Sequence, residues 1–155
     1  MSFPLSLYGQ TFADAPTFAE AVLADAIAGG GRINGPERPH QWLSSALAAG
    51  TIERSLLISL SAWLLRTSHA AGIAEAIKIA KTIKLTELAP VFATALEALS
   101  LNLLLQPNPQ NHALSIEDSL LDGLVSLMDG SNADLRAVAL SRLRNAALHE
   151  QELDL

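Results

Sequence analysis

The 155-residue chain contains no cysteine. This absence excludes a disulfide framework, a thiol nucleophile and any zinc site that depends on cysteine ligands. It also suits a reducing compartment. The N-terminal residues 1–8 have no basic residue ahead of an apolar run, so a secretory signal is not expected. We therefore expect a cytoplasmic location.

Charged and aromatic residues are also scarce. Charged residues make up 17% of the chain and aromatic residues 5%, whereas 50% of residues are apolar. An average soluble domain has about 25% charged residues. A surface with so few charges predicts that some apolar area remains for a partner or for a second copy of the chain. The net charge of −6 opposes binding to nucleic acid or to an anionic membrane.

Alanine and leucine, which favour helices, are abundant in the composition. Apolar residues repeat at the spacing of a helix rather than that of a strand. Residues 1–13 are expected to be irregular, and residues 150–155 to form a frayed acidic tail. Seven helices are predicted between them, over about 14–28, 39–49, 51–68, 73–84, 86–105, 115–129 and 131–149, with Ala89 as the alternative start of the fifth. The length suits a single domain, so we expect one all-α domain over 1–155.

Local signals predict where some of these helices begin. Two segments, Ser115–Asp118 and Ser131–Asp134, form capping boxes, in which serine and a carboxylate three residues later satisfy the first backbone N–H groups. Each box predicts a helix start. Thr51 is placed to cap the third helix, and Gly72 is expected to separate that helix from the fourth.

The third and fourth predicted helices differ in their polar faces. The third is apolar nearly all round, which predicts a buried helix with Leu60 and Trp63 in its core-facing part. In the fourth, Lys78, Lys81 and Lys84 recur every three residues. They are expected to form a solvated face.

The last six predicted helices fall into three pairs, near residues 39–68, 73–105 and 116–149. The pairs begin 34 and 43 residues apart (73 − 39 and 116 − 73). This spacing is typical of stacked helical hairpins. We expect stacked antiparallel hairpins that form an α-α superhelix, with an irregular helical bundle as the alternative.

A leucine-rich segment at residues 120–125 reads Leu-Leu-Asp-Gly-Leu-Val. The residues that follow it in the pattern are Asp129, Asp134, Arg136, Val138, Ala139 and Leu143. Residues 120–147 thereby resemble one HEAT or armadillo-type repeat. In that family a leucine-rich first helix ends at an aspartate, and an arginine opens the second helix, followed by valine and alanine. The resemblance implies a superhelix that binds other proteins, and it names no partner.

Residues that could carry chemistry form no recognised catalytic or metal-binding pattern. The four histidines are His40, His69, His112 and His149. They lie in different segments, and no two have the i, i+4 spacing that places two ligands on one helix face. No Gly-x-Ser-x-Gly nucleophile motif occurs. We therefore predict no catalytic residue, no metal and no cofactor, and a chain that is not an enzyme.

Two groups of residues are candidates for partner binding. The glycine-rich loop, residues 29–39, concentrates hydrogen-bond donors together with His40. Binding residues often lie on loops, although an ordinary solvent loop is the alternative. In the last helix, residues spaced by four form a ridge of leucine and arginine, a composition found at interfaces. The candidates are Arg32, Asn34, Arg38 and His40 in the loop and Arg136, Leu140, Arg144 and Leu148 on the ridge. The core stripe expected beside that ridge is Leu135, Val138, Ala139, Leu143 and Ala146.

These observations favour a non-catalytic protein-protein interaction domain, such as an adaptor, an inhibitor or an immunity-type protein. A homo-oligomeric assembly protein is the alternative, and an enzyme with an unrecognised site is the third hypothesis. Residues 111–155 carry eight acids and three arginines, a net charge of −5. This charge either attracts a basic partner or has no role in binding, because acids are common at helix N-termini and in a frayed tail. No membrane partner is expected, because Glu97 interrupts the apolar run 88–105, which predicts a core helix.

Overall fold

The computed structural model describes residues 3–67, 69–106, 111–129 and 136–144. Of the described residues, 73% are helical and 5% are in strands. The predicted all-α class with about seven helices is therefore confirmed. The chain divides into two compact units, residues 1–85 and 86–155. The single domain over 1–155 stays a prediction.

Residues 1–85 contain a short hairpin and four helices. The strands are β1 (Leu5–Leu7) and β2 (Gln10–Phe12), and the helices are α1 (Ala15–Ala28), α2 (Pro39–Ala48), α3 (Arg54–Leu65) and α4 (Ala70–Ile83). Residues 86–155 contain a 3-10 turn (Thr86–Leu88), α5 (Ala89–Leu104), α6 (Asn111–Leu127) and a helical segment at 136–144, here named α7.

The antiparallel hairpin corrects the prediction that residues 1–13 are irregular. Leu5 pairs with Phe12, and Leu7 pairs with Gln10. The turn residues Tyr8 and Gly9 have φ values of 51° and 77°, and a two-residue turn with both φ values positive matches the twist of a hairpin. Three-residue strands are too short to show a period of two, which is why the periodicity did not reveal them.

α1 begins and ends as its sequence predicts. The carboxylate Oδ1 of Asp14 accepts a hydrogen bond from the backbone N–H of Thr17 at 2.8 Å, which satisfies one of the unpaired donors of the first turn. Pro16 lies in that turn, where a missing N–H costs nothing. The helix ends at Gly29, whose φ of 81° lies in the left-handed region.

α4 is the element against which α1, α2 and α3 all pack. In the first predicted pair, α2 and α3 each pack more extensively on α4 than on each other. Residues 1–85 therefore have the packing of a small bundle around α4. Lys78 and Lys81 are exposed on α4, and Lys84 is exposed at its C-cap, as predicted for a solvated face. The α-α superhelix stays a prediction.

Two predicted boundaries around α3 are wrong. The cap of α3 is Glu53 rather than Thr51. Gly72 lies inside α4 instead of separating two helices, and it is buried. A Cβ atom at residue 72 would lie 2.8 Å from Leu23 Cδ1 and 3.0 Å from Thr67 Oγ1. This glycine allows the close approach of helices and does not mark a break.

In residues 86–155, α5 packs against α6. Helix α6 begins at Asn111, so Ser115 lies within the helix and its predicted capping box is wrong. The same four-residue pattern is tolerated inside a helix, where Ser115 is exposed. The second box, Ser131–Asp134, lies outside the described residues.

The helical stretch Thr86–Leu104 is long and apolar enough to cross a membrane by length and composition, and 39% of its apolar window is buried. Core helices of soluble proteins pass the same test. On α5 the buried apolar residues include Phe92, Leu96 and Leu103, and α6 contributes Leu120 and Leu124. These residues form a packed helical core between α5 and α6.

Candidate functional site

A buried carboxylate, Glu75 of α4, binds the end of the glycine-rich loop. Its Oε1 accepts hydrogen bonds from Arg38 Nε at 2.9 Å and Nη2 at 2.5 Å. Its Oε2 accepts a bond from the backbone N–H of His40 at 3.2 Å and lies against His40 Nδ1. The side chain of Glu75 is fully buried, whereas those of Arg38 and His40 are 30% and 19% exposed. These hydrogen bonds therefore connect the first turn of α2 to α4.

The surroundings of Glu75 act on its pKa in opposite directions. Burial raises the pKa of this carboxyl, because the charged form loses its hydration. Hydrogen bonds from His40 and Arg38, together with the positive charge of these groups, act the other way and leave the pKa of Glu75 below its ordinary value. Glu75 is therefore ionised at neutral pH, as an ion pair with Arg38 requires.

Three of the four loop residues predicted to bind a partner make side-chain bonds within the chain. Arg38 and His40 contact Glu75, and Asn34 Nδ2 donates to Glu37 Oε2 at 2.8 Å. These bonds place the three side chains in contacts within the chain, and their partner-binding role stays a prediction. The buried carboxylate on α4 explains why Arg38 and His40 turn inward, since a buried charge needs partners.

A second buried carboxylate, Asp25 of α1, organises the rest of the loop. Its Oδ1 accepts a hydrogen bond from the backbone N–H of Arg32 at 2.9 Å, and its Oδ2 accepts one from Trp42 Nε1 at 2.9 Å. The rings of Tyr8 and Phe18 lie edge-on to Trp42, with centroids 6.0 and 6.4 Å away. The side chain of Arg32 remains exposed, and its partner-binding role stays a prediction.

A third buried carboxylate, Glu117 of α6, connects α5, α6 and α7. Its Oε2 accepts hydrogen bonds from Ser100 Oγ at 2.6 Å and from Arg144 Nε at 2.7 Å. Arg144 Nη2 forms an ion pair with the other oxygen, Oε1. All three side chains are buried. Within residues 86–155 this cluster joins three helices at one point.

The ridge predicted on the last helix lies only partly on the surface. Arg144 is 3% exposed and is not available to a partner, whereas Leu140 is half-buried, as expected of a residue at least partly exposed. Arg136 is exposed, and its Nη2 lies 3.0 Å from Glu97 Oε1 of α5. Leu148 lies outside the described residues. The prediction is wrong for Arg144, because a buried carboxylate can hold an arginine in the core.

The predicted core stripe of α7 is corrected for the same reason. Leu143 is 67% exposed and Ala139 is exposed, whereas Val138 is buried as expected. Leu135 and Ala146 lie outside the described residues. The face that carries Arg144 points inward, and this rotation places Leu143 in solvent.

The three buried carboxylates were not among the predicted site residues, although the sequence contains a signal for them. Glu117 lies three residues before Leu120 and seven before Leu124, both of which are buried on α6. A charged residue on the apolar stripe of a helix therefore indicates a buried, hydrogen-bonded charge rather than a solvated face. Asp25 and Glu75 follow the same rule on α1 and α4.

The clusters of Glu75 and Glu117 have the geometry of structural ion pairs. A general base needs an oxygen within reach of a substrate proton, whereas Glu75 and Glu117 are fully buried and bonded to donors of this chain. In the part of the chain that the structure describes, no group of three His, Asp or Glu side chains is placed to hold a metal ion. These clusters therefore account for how the helices are held.

An apolar pocket of about 230 Å³ lies between the first turns of α1 and the outer side of α3. The lining residues are Ala15, Pro16, Phe18, Ala19, Leu56, Ser59, Leu60 and Trp63. Phe18 and Leu60 are buried, whereas Trp63 is 37% exposed. The prediction that α3 is buried all round is therefore corrected on this side, where the pocket exposes Trp63.

A second, shallower depression adjoins this pocket at the start of α3. It is lined by Phe3, Glu53, Ser55, Leu56 and Ser59, and two of these residues, Leu56 and Ser59, also line the first pocket. The two depressions therefore form one groove. We name it the α1–α3 groove. Its first part is apolar and its second part carries hydroxyl groups and a carboxylate.

Another apolar patch lies at the C-terminal end of α5. Leu101, Leu104 and Leu105 are exposed there, and Leu105 is 85% exposed. Their spacing of three and four places them on neighbouring positions of the helix surface. The patch matches the expectation from the low charge content that apolar area remains uncovered.

Comparison with known proteins gives no relative, since no protein-family model, curated protein or solved structure matches the chain. The resemblance of residues 120–147 to a HEAT or armadillo-type repeat stays a prediction. Function therefore has to be argued from the surface of the molecule and not from its fold.

Proposed function

We propose that the chain is a non-catalytic protein-binding domain and that the α1–α3 groove is its binding surface. The observation that supports this proposal is the open apolar pocket with Trp63 on its rim. Tryptophan is enriched among the residues that contribute most to binding energy at protein interfaces. The absence of cysteine supports a cytoplasmic site of action.

The apolar part of the groove suits one large side chain. Its volume is about 230 Å³, below the roughly 300–1,000 Å³ of pockets for drug-sized ligands, and the second part of the groove is a more open depression of about 190 Å³. Buried polar groups that could orient a substrate are bonded within the chain at Glu75 and Glu117. Both observations favour an adaptor or inhibitor over an enzyme.

The experiment is affinity capture from the native lysate with the wild-type chain and two phenylalanine variants. Ser59→Phe places a ring in the groove, because Ser59 is an exposed lining residue. Ser45→Phe is the matched control, an exposed serine of α2 that does not line the groove. A specific partner should bind wild type and Ser45→Phe and be lost with Ser59→Phe. Equal capture by all three proteins, or capture by none, would contradict the proposal.

Self-association is a second candidate, favoured by the exposed leucines of α5. A patch formed by Leu101, Leu104 and Leu105 is the kind of surface that a second copy of the chain can cover. Light scattering over a range of concentrations should then give a defined oligomer, and Leu101→Ser with Leu105→Ser should shift the mass to the monomer. A monomeric mass for the wild type at every concentration would exclude this role.

A further inference from the structure

We propose that α5 pairs with α5 of a second copy of the chain, with the two helices antiparallel about a twofold axis beside Ala98. This inference rests on the second candidate function, self-association, and adds which residues meet and in which direction the helices run. It is carried by the outer face of α5, which is exposed, uncharged and graded in side-chain size.

The outer face of α5 carries no charged residue. The exposed residues between Ala89 and Leu105 are Pro90, Thr94, Ala98, Leu101, Asn102, Leu104 and Leu105. The exposed faces of α4 and α6, in contrast, carry charges at Lys78, Lys81, Asp118 and Asp122. A surface helix normally has polar and charged residues on its solvent side, whereas a helix that is apolar on both sides is usually covered. The composition of α5 is therefore that of a helix covered on its outer side as well.

The spacing of residues on this face is that of a helix-helix contact. Five residues, here named the α5 seam, are separated by three and four positions in turn: Val91, Thr94, Ala98, Leu101 and Leu105. This spacing keeps one side of a helix against another helix. Val91 is half-buried and the other four are exposed. Leu105 is the C-cap residue and keeps helical backbone angles, so it continues the seam.

Polar groups are placed so that covering the seam leaves no donor unpaired. The hydroxyl of Thr94 already donates to the backbone oxygen of Pro90 at 3.0 Å, so its burial does not cost a hydrogen bond. On one side of the seam Gln106 donates to Asn102 at 3.3 Å. On the other side Glu97 is paired with Arg136. An apolar centre with a polar rim is the usual arrangement of a protein interface.

The lack of charge favours a second copy of the chain as the partner. In a twofold interface the same patch lies on both copies, so a charge near the axis would meet its own kind. Two copies that each carry a net charge of −6 repel each other. They therefore approach at least cost through a face without acids. A partner recognised by its charge would instead require charged residues on the seam.

The distribution of side-chain size selects the antiparallel direction. Leu105 and Val91 lie seven residues on either side of Ala98, so antiparallel pairing about Ala98 places Leu105 of one copy opposite Val91 of the second copy. Large side chains then lie against smaller ones and fill the contact, as close packing requires. Parallel pairing would place Leu105 against Leu105 and leave a gap where Thr94 meets Thr94.

Single cysteines test this pairing without background, because the chain contains no cysteine. Packed helices have axes about 8–10 Å apart, which brings facing Cα atoms to about 5 Å, a distance that a disulfide spans. Ala98→Cys should therefore form a disulfide-linked dimer when diamide is added. Ala74→Cys, at an exposed alanine of α4, is the matched control and should cross-link at least about tenfold more slowly, because its thiols meet only by collision.

Leu105→Cys tests the direction of the helices. In the antiparallel pair the two residues 105 are about 21 Å apart along the helices, so this variant should not cross-link rapidly by itself. An equimolar mixture with an affinity-tagged Val91→Cys should give a mixed dimer, identified by its mass. Melting temperatures close to that of the wild type show that each variant is folded.

Sedimentation of the wild-type chain measures self-association without any substitution. The seam covers one helix of 16 residues, about 24 Å long, which is small for a specific interface. We therefore expect a monomer at low micromolar concentration and a dimer that increases towards millimolar concentration. Rapid cross-linking of Leu105→Cys but not of Ala98→Cys would overturn the antiparallel pairing and leave self-association standing. A monomer at every concentration would overturn both proposals.

Discussion

Three carboxylates, those of Asp25, Glu75 and Glu117, are completely buried. Removing a charge from water is costly, so a buried carboxylate needs hydrogen-bond donors, an opposite charge or both to replace its hydration. Asp25 accepts hydrogen bonds from neutral donors, whereas Glu75 and Glu117 also form ion pairs. Glu117 accepts hydrogen bonds from Ser100 and Arg144. Glu75 accepts hydrogen bonds from Arg38 and from the backbone N–H of His40. At the scale of single residues, each of these clusters is therefore most sensitive to the loss of one partner.

Replacing Arg144 by methionine should destabilise the chain by about 3–5 kcal/mol, the usual cost of leaving one member of a buried ion pair unpaired. Arg142→Met is the control, because Arg142 is exposed two residues earlier on the same helix, and it should cost less than about 0.5 kcal/mol. Urea unfolding gives both values. Adding Glu117→Leu to Arg144→Met should recover part of the loss, and a double variant less stable than the single one would contradict the ion-pair explanation.

Glu75 predicts how stability depends on pH. Its pKa is lower in the folded chain than its ordinary value, so its contribution is fully present above the unfolded pKa, about 4.3–4.5. That contribution is lost as the pH falls through the lowered folded pKa. Glu75→Gln should cost about 1.5–3 kcal/mol at pH 7, the range for hydrogen bonds to a charged group. It should also flatten the acid side of the stability curve, and a curve parallel to that of the wild type would contradict this account.

The positions of these residues could be predicted only in part from sequence. Glu117 lies on the apolar stripe of α6, which indicates burial, but its partner Arg144 is 27 residues later in the chain. The spacing of residues within α7 permits more than one inward face. The packing of α7 on α5 and α6 determines that the face containing Arg144 is buried. This is a tertiary effect, and the periodicity of residues close in sequence does not predict it.

At the scale of elements, α3 has one buried side and one side that lines the groove. Leu57 is fully buried and Trp63 is 37% exposed. Leu57→Ala should therefore cost about 2–5 kcal/mol, because it leaves a cavity in the core. Trp63→Ala should cost less than Leu57→Ala although tryptophan is larger, since its atoms already contact solvent. Thermal unfolding measures the order of the two losses, and a larger loss for Trp63→Ala would show that this ring is part of the core.

The helices were predicted more completely than their junctions. A period of 3.6 residues marks α1 to α6 because each buries one face, and periodicity depends only on residues close in sequence. Gly72 was misjudged because glycine breaks helices in isolation, whereas here it allows Leu23 of α1 to approach α4. The groove could not be predicted at all, because it exists only where α1 and α3 lie side by side.

At the scale of the whole molecule, the low charge content has two separate consequences. The acidic balance of the chain favours basic partners and opposes nucleic acid. The apolar excess leaves uncovered surface in each compact unit, at the α1–α3 groove in residues 1–85 and at Leu101, Leu104 and Leu105 in residues 86–155. Each unit therefore carries its own candidate contact surface.

The division into two units predicts that residues 1–85 fold as an isolated fragment. The hydrogen bonds of Asp25 and Glu75, the ring contacts of Trp42 and the packing around α4 all lie inside this range. A fragment of this size buries roughly 60–70% of its unfolded surface, which is enough for a marginally stable core. The expected result is a helical circular dichroism spectrum with a cooperative melt below that of the full chain.

Fluorescence of the same fragment separates a native core from a collapsed one. Trp42 is buried and bonded to Asp25, so its emission in the folded fragment should be protected from acrylamide, while that of Trp63 should be quenched. Asp25→Ala removes the bond to Trp42 and should lower the melting temperature of the fragment and of the full chain alike. A fragment that lacks a cooperative melt, or in which both tryptophans are equally quenched, would show that residues 1–85 need the rest of the chain to fold.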